Sequence, residues 1–281
     1  MRSSSLVRPL QFRLHWRPYA ALMRLAFQKQ FAYRTANLAG FFTSIFFAAL
    51  RAAVIVALYQ SKISGARVGG YSLQDAVTYT GIGQSIIGWI ALWGWWDLLR
   101  AVKSGDVATD LQRPIGFFWY WCAQDLGRAL AQLVMRGLPM MLIYFVLYPI
   151  TLPKDGAQWL GFALSMLLAW FISFSWRFIY SLAAFWSTDA IGFARIAIFS
   201  TIFMSGFLMP LAFFPAWVQQ VLRALPFASI VNAPVEVFLN VTTGPALLAA
   251  LGQQLFWAVA LGLLAHIVLA LGTRKLTIDG G

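Results

Sequence analysis

A serine and a histidine are the first pair to weigh for chemistry. Ser205, followed by Gly206, closes one apolar run and His266 lies in another, and these are the residue types of a nucleophile and its general base. Within a membrane such a pair would make an intramembrane protease, provided the two side chains come within hydrogen-bond reach. Depth argues against that. The two runs cross in opposite directions, leaving Ser205 near the outer end and His266 near the inner end, several helical turns apart. Ser205 also follows Phe203-Met204 and lacks a G-x-S-G setting. There is no H-E-x-x-H sequence, His15 lies in the basic leader, and the single cysteine, Cys122, excludes an internal disulfide or a cysteine-rich metal site. Nor is there a G-x-x-x-x-G-K-[ST] run to cradle nucleotide phosphates. No catalytic, cofactor-binding or metal-ligating residue is therefore assigned.

Ionisable groups inside apolar runs are the next chemistry, because a mid-membrane carboxylate is what binds a coupling proton or cation. Of the nine acids, Asp75 and Asp189 stand at run starts and the others fall in connecting segments or the tail, which disfavours an ion-coupled secondary transporter. Arg51, Arg136, Arg177 and Arg195 do fall inside runs. Each would cost about 2.5 to 3.5 kcal/mol at the bilayer centre, so none is expected to face mid-bilayer lipid. Arg136, Arg177 and Arg195, within about two turns of the inner end, are expected to snorkel. Arg51, in the outer half of its run, either snorkels outward or faces a hydrated cavity. Thr80, Gln84 and Ser85 in the second run and Phe199 and Phe203 in the fifth are candidate lining of a pathway, although ordinary helix packing uses the same residue types.

The elements that must hold these residues follow from composition. Sixty per cent of the 281 residues are apolar and only 11% charged, with 13 tryptophans, which is the composition of a membrane protein and leaves no room for a large soluble catalytic domain. Runs of bilayer length lie at about 37–59, 76–96, 129–150, 158–184, 190–211 and 246–272. The expected fold is an all-α membrane protein in one transmembrane domain over 1–281: a leader (1–36), a six-span bundle (37–272) and a tail (273–281). An even number of spans puts both termini on one side. That side carries seven basic residues in the leader, four between the second and third spans and two in the tail, thirteen in all, against four opposite (Lys62, Arg67, Lys154, Arg223). The positive-inside rule makes both termini cytoplasmic, and the formal charge of +12 reads as topology rather than as a nucleic-acid surface. No signal peptide is expected, the first span serving as the insertion signal.

Three connecting segments carry more than connection. In the leader, Tyr19, Leu22, Met23, Ala26 and Tyr33 share a helical face with Arg24 and Gln28 opposite, the pattern of a helix on the inner membrane surface, with Gln30 an exception on the apolar side. Between the second and third spans, Asp97, Arg100, Lys103, Asp106, Asp110 and Arg113 alternate with Leu98, Leu99, Val102, Val107 and Leu111, which suits a short amphipathic helix docking on another protein. Ser104-Gly105 divides it, Arg113-Pro114 closes it, and the aromatic cluster 117–121 is placed at the membrane interface. Outside, residues 206–245 contain five of the eleven prolines. Trp217, Val218, Val221, Leu222 and Leu225 face one way and Gln219, Gln220 and Arg223 the other, as in short helices dipping back into the outer leaflet. The sole glutamate, Glu236, is expected to charge a first helical turn or to pair with Arg223.

SGDVATDLQRPIGFFWYW (104–121), SGFLMPLAFFPAWVQQVLRALPF (205–227) and PVEVFLN (234–240) together resemble the ABC-2 family of ABC-transporter permeases, in particular the six-span bacterial subunits encoded apart from their ATPase. The resemblance implies a pair of permeases, two copies or one with a related chain, in the bacterial inner membrane. It further implies two cytoplasmic ATP-binding subunits that hold ATP and magnesium and drive export by alternating access. In its terms the leader is a connecting helix, and the 97–114 segment, with Arg100, Lys103, Asp106, Asp110 and Arg113, is the coupling helix that meets the ATPase. The segment before the last span forms the external re-entrant helices.

Overall fold

The structure, a computed structural model, describes residues 16–61, 67–187 and 189–276. Arg2, Arg8, Arg13 and His15 of the leader, Lys62 of the first loop and residues 277–281 of the tail lie outside the described residues. Helices make up the regular structure of the described residues, with one isolated bridge between Val68 and Tyr71.

The chain opens with α1 (Trp16–Ala32) and α2 (Arg34–Gln60), then α3 (Leu73–Ile90). Ser72 and Asp75 form a capping box at the start of α3, and Thr151 donates to the other Asp75 oxygen at 2.8 Å, so this acid caps a helix and ties down a loop. Two short helices follow, α4 (Asp97–Ser104) and α5 (Val107–Leu111). The third long element runs from Phe117 to Leu147 as α6 (Phe117–Gln132), a π-helical turn (Leu133–Gly137) and α7 (Leu138–Leu147). Then come α8 (Gly156–Leu182) and α9 (Ala190–Met204), the latter capped by Asp189, whose carboxylate accepts from Gly192 N–H at 3.1 Å. Two 3-10 turns, α10 (Ala216–Ala224) and α11 (Asn232–Phe238) lead to α12 (Pro245–Leu276).

Four of these elements are long and apolar enough to cross a membrane: α2, α6 through α7, α8 and α12. The other two expected spans are shorter than the hydropathy pattern suggests. α3 ends at Ala91, which takes a left-handed φ of 47°, and α9 covers 15 residues, about 22 Å of rise, before Gly206 turns the chain at φ 83°. The third expected span, 129–150, is corrected by twelve residues at its start. The added turns hold Gln124, Asp125 and Arg128, polar groups that break an apolar count, and Asp125 and Arg128 find their partners inside the bundle.

α3 is the hub, buried from Ala76 to Ile90 except at Gly88. Close approach there depends on missing side chains: a Cβ on Gly81 would lie 2.4 Å from the Tyr144 ring, and one on Gly88 would lie 2.9 Å from Gln132. α2 touches the bundle through a single stripe, Ser44, Ala48, Ala52, Ile55 and Tyr59, leaving Phe42, Phe46, Leu50 and Val54 exposed. α11 is buried along its length, whereas α10 buries no residue and exposes Trp217 and Val221.

Candidate functional site

The segment expected to meet a partner lies at the end of the bundle that also carries α1. α4 forms because Asp97 in its first turn and Lys103 in its last complement the helix dipole, and Gly105, at φ 84°, ends it in the left-handed conformation. Its apolar face is turned to this chain's own bundle. Leu98, Leu99 and Val102, with Val107 of α5, are buried against this chain's own core, where α4 packs on α8. An apolar face this small is worth most on the nearest apolar surface, which is its own bundle. What faces outward is charge. Arg100 pairs with Asp97 at 2.6 Å and Arg113 with Asp110 at 3.0 Å, its guanidinium over the Tyr120 ring at 4.8 Å, while Ser104 donates to Asp106 at 2.6 Å. Lys103 is exposed on the same surface.

α1 lies beside this segment with the predicted face, Leu22, Met23 and Ala26, against α6. The approach is closest at Gly127, where a Cβ would stand 2.1 Å from the Met23 carbonyl oxygen. Gln30, the exception in the pattern, faces inward for a reason: its side-chain oxygen accepts from Gln132 at 3.0 Å and its carbonyl from Asn37 at 2.8 Å. Tyr33 departs from the expected face and is exposed.

Beneath α4 sits a charged cluster, two of whose members, Asp125 and Arg128, lie before the expected start of the third span at 129. Asp125 on α6 is fully buried and accepts from Arg177 on α8 at 3.0 and 2.8 Å, from Arg128 at 2.8 Å and from the Trp170 indole at 2.9 Å. Arg128 also donates to the carbonyls of Gly88 and Trp89 at the C-terminal end of α3, at 2.7 and 3.3 Å, where the helix dipole favours a cation. One cluster therefore clamps α3, α6 and α8 just where the chain leaves for α4. Arg177 does not snorkel, because Asp125 takes its charge, and Arg128 leaves the count of inner-loop cations, which becomes twelve to four. The signal was present in the sequence as an Asp-x-x-Arg spacing on a helix together with an arginine inside another apolar run.

The candidate pathway residues divide in two. Thr80, Gln84 and Ser85 are buried on α3, and Phe199 and Phe203 are exposed on α9, so the two sets are not gathered on one surface. The hydroxyls of Thr80 and Ser85 bond within their own helix. Gln84 donates to Ser44 O at 3.3 Å and accepts from Arg51 at 3.2 Å. Arg51 turns inward, its guanidinium also donating to Phe207 O and lying 4.4 Å from that ring. Arg136 reaches Gly40 O and Ser44 Oγ at 2.8 and 2.6 Å, and Arg195 is exposed on α9. A polar seam thus joins α2, α3 and the π-helical turn.

Residues 45–280 match the family described as ABC-2 family transporter protein. The chain belongs to the ABC-2 transporter family. No curated protein matches it. As an ABC-2 family member it is a multi-pass membrane transport protein, with the helical content and apolar spans that role requires.

The remaining candidates in this ABC-2 protein take structural partners. The Ser205 hydroxyl faces Ile202 O at 3.5 Å, and His266 bonds Gly262 O at 2.8 Å with its ring 4.5 Å from that of Phe118, so the pair does not form a nucleophile and base. Glu236 is buried and pairs with Arg223, one bond being 2.8 Å. Tyr71 donates to Glu236 at 3.1 Å and accepts at its carbonyl from Tyr59 at 2.7 Å. Burial, reinforced by the neighbouring carboxylate, pushes the Tyr71 hydroxyl above its ordinary pKa, so it stays a donor, and the bond to Glu236 raises that of Arg223. This network locks α10 and α11 to the 67–72 loop at the end opposite α4.

Proposed function

We propose that this chain is the membrane-spanning permease subunit of an ATP-driven exporter. The membership in the ABC-2 family carries the reading. In it, α2, α3, α6 through α7, α8, α9 and α12 are six spans in the bacterial inner membrane. Both termini and the α1/α4/α5 end are cytoplasmic, and α10 and α11 lie outside. Two ATP-binding subunits hold ATP and magnesium and dock on the charged surface of α4 and α5, while a second permease, identical or related, completes the pathway by alternating access.

The arrangement supports a transmitting role for that surface. α4 is joined to α3 by six residues and rests on α8, and the Asp125 cluster binds α3, α6 and α8 together at the same end. A displacement of α4 is therefore delivered to three spans at once. A partner drives such a displacement only by binding its two positions unequally, for which the outward charges of Arg100, Lys103, Asp106, Asp110 and Arg113 are the available groups.

An ion-coupled transporter gains one observation, the buried carboxylate of Asp125. Both its oxygens are occupied by guanidinium and indole donors, which leaves no lone pair open to a coupling ion. Reconstitution decides the matter: vesicles holding the permease and its co-purifying ATPase should accumulate substrate only with ATP and magnesium. Transport driven by an ion gradient without ATP would overturn the proposal.

A further inference from the structure

Between α1, α4 and α6 lies a cleft of about 630 Å³, and the structure gives it the parts of a binding site. Its walls include Lys29, Lys103, Asp106, Trp121 and Gln124. Lys29 and Lys103 are exposed cations with no carboxylate in ion-pair range among the described residues. Trp121 is 94% buried, yet its indole N–H has no hydrogen-bond partner among the described residues. A buried donor without an acceptor costs about 1 to 3 kcal/mol, so it marks a place where an acceptor belongs. The acids on the rim do not bond it: Asp97 accepts from Arg100 and the Trp95 indole, and Asp106, which accepts from Ser104, keeps its negative charge on the rim, where Lys29 and Lys103 outweigh it. A second hollow of about 260 Å³ shares Lys29, Asp97 and Gln124 with the first and is walled by the apolar Leu22, Leu25 and Ala26 of α1.

We propose that this cleft binds a phosphate group, with the phosphodiester of an anionic inner-leaflet phospholipid as its source. Two cations and a buried N–H meet the phosphate oxygens, and the apolar wall of α1 meets the glycerol and first methylenes. Basic pockets between helices on the cytoplasmic side suit such headgroups, and free phosphate has no use for the apolar wall. The site needs α1 and α4 to be cytoplasmic but needs neither ATP nor an ATPase, so its failure leaves the exporter reading untouched.

The test is thermal unfolding of the full chain in neutral detergent with added dioleoyl-phosphatidylglycerol, dioleoyl-phosphatidylcholine or glycerol 3-phosphate. Phosphatidylglycerol should raise the midpoint saturably and phosphatidylcholine should not. Half-saturation should need about tenfold more lipid in K29Q/K103Q, two exposed changes that spare the fold, and about fivefold more in Trp121→Phe, which keeps a ring and deletes the N–H. Lys154→Gln, far from the cleft, should titrate as wild type. Glycerol 3-phosphate matching the lipid would support the phosphate site and remove the lipid as its source. Equal responses to the two lipids, wild-type titration of K29Q/K103Q, or an effect of those changes on ATPase co-elution alone would each overturn the proposal.

Discussion

Asp125 accepts four hydrogen bonds from three residues on two helices, and its removal strands two buried guanidiniums. Asp125→Asn should therefore destabilise the protein by about 3 to 5 kcal/mol, read as a lower unfolding midpoint in detergent. Adding Arg177→Met, which withdraws one stranded charge, should recover part of the loss; fully additive losses would contradict the cluster. Two glycines of α3 make a second contrast. Gly81→Ala should cost about 1 to 3 kcal/mol because its Cβ would overlap the Tyr144 ring, whereas Gly83→Ala, with its nearest neighbour 4.0 Å away, should be neutral or slightly stabilising. The same unfolding assay ranks them. At this scale the sequence showed which residues were unusual but rarely their partners. The Arg223–Glu236 pair was legible because both sit in one short segment, while the Asp125–Arg177 contact joins residues on separate helices, where no spacing rule applies.

α4 and α5 put the coupling reading to its sharpest test. Reversing Asp106 and Asp110 to Lys removes the acceptor for Ser104 and the partner of Arg113 while leaving the buried Leu98, Leu99, Val102 and Val107 in place. Insertion and folding should survive, and ATPase co-elution or substrate-stimulated ATP hydrolysis should fall; unchanged values for both would remove this segment from the mechanism. Hydropathy located the first, fourth and sixth expected spans within a few residues of α2, α8 and α12, because their windows are apolar throughout. It shortened the third because buried polar residues are indistinguishable from solvated ones until their partners are known. It lengthened the second and fifth because apolar residues continue past the left-handed turns at Ala91 and Gly206. The break at Ser104-Gly105 and the amphipathic α1 were readable, since both depend on local chemistry alone.

At the scale of the whole molecule, the twelve-to-four distribution of cations predicts orientation. The single native cysteine, Cys122, is buried, so introduced cysteines report without background. Gln220→Cys, exposed on α10, should react with an impermeant maleimide in intact cells, and Ala108→Cys, exposed on α5, should react only after the membrane is opened. Val107, one residue earlier, is fully buried and would be silent on either side. The reverse labelling pattern would invert the topology and move the coupling surface outside. The π-helical turn at Leu133–Gly137 bears on how relatives of this chain are to be compared. A π turn accommodates one residue more than the α-helix it interrupts, and losing that residue rotates everything beyond it by about 100°. Arg136 lies within the turn and reaches α2, while Tyr144 lies beyond it against Gly81 and donates to Ala48 O. A one-residue gap at 133–137 in an alignment thus records a change of phase in the third long element, and relatives that carry it must have rebuilt the contact at Gly81, whereas gaps in the 149–155 loop leave that phase as it is.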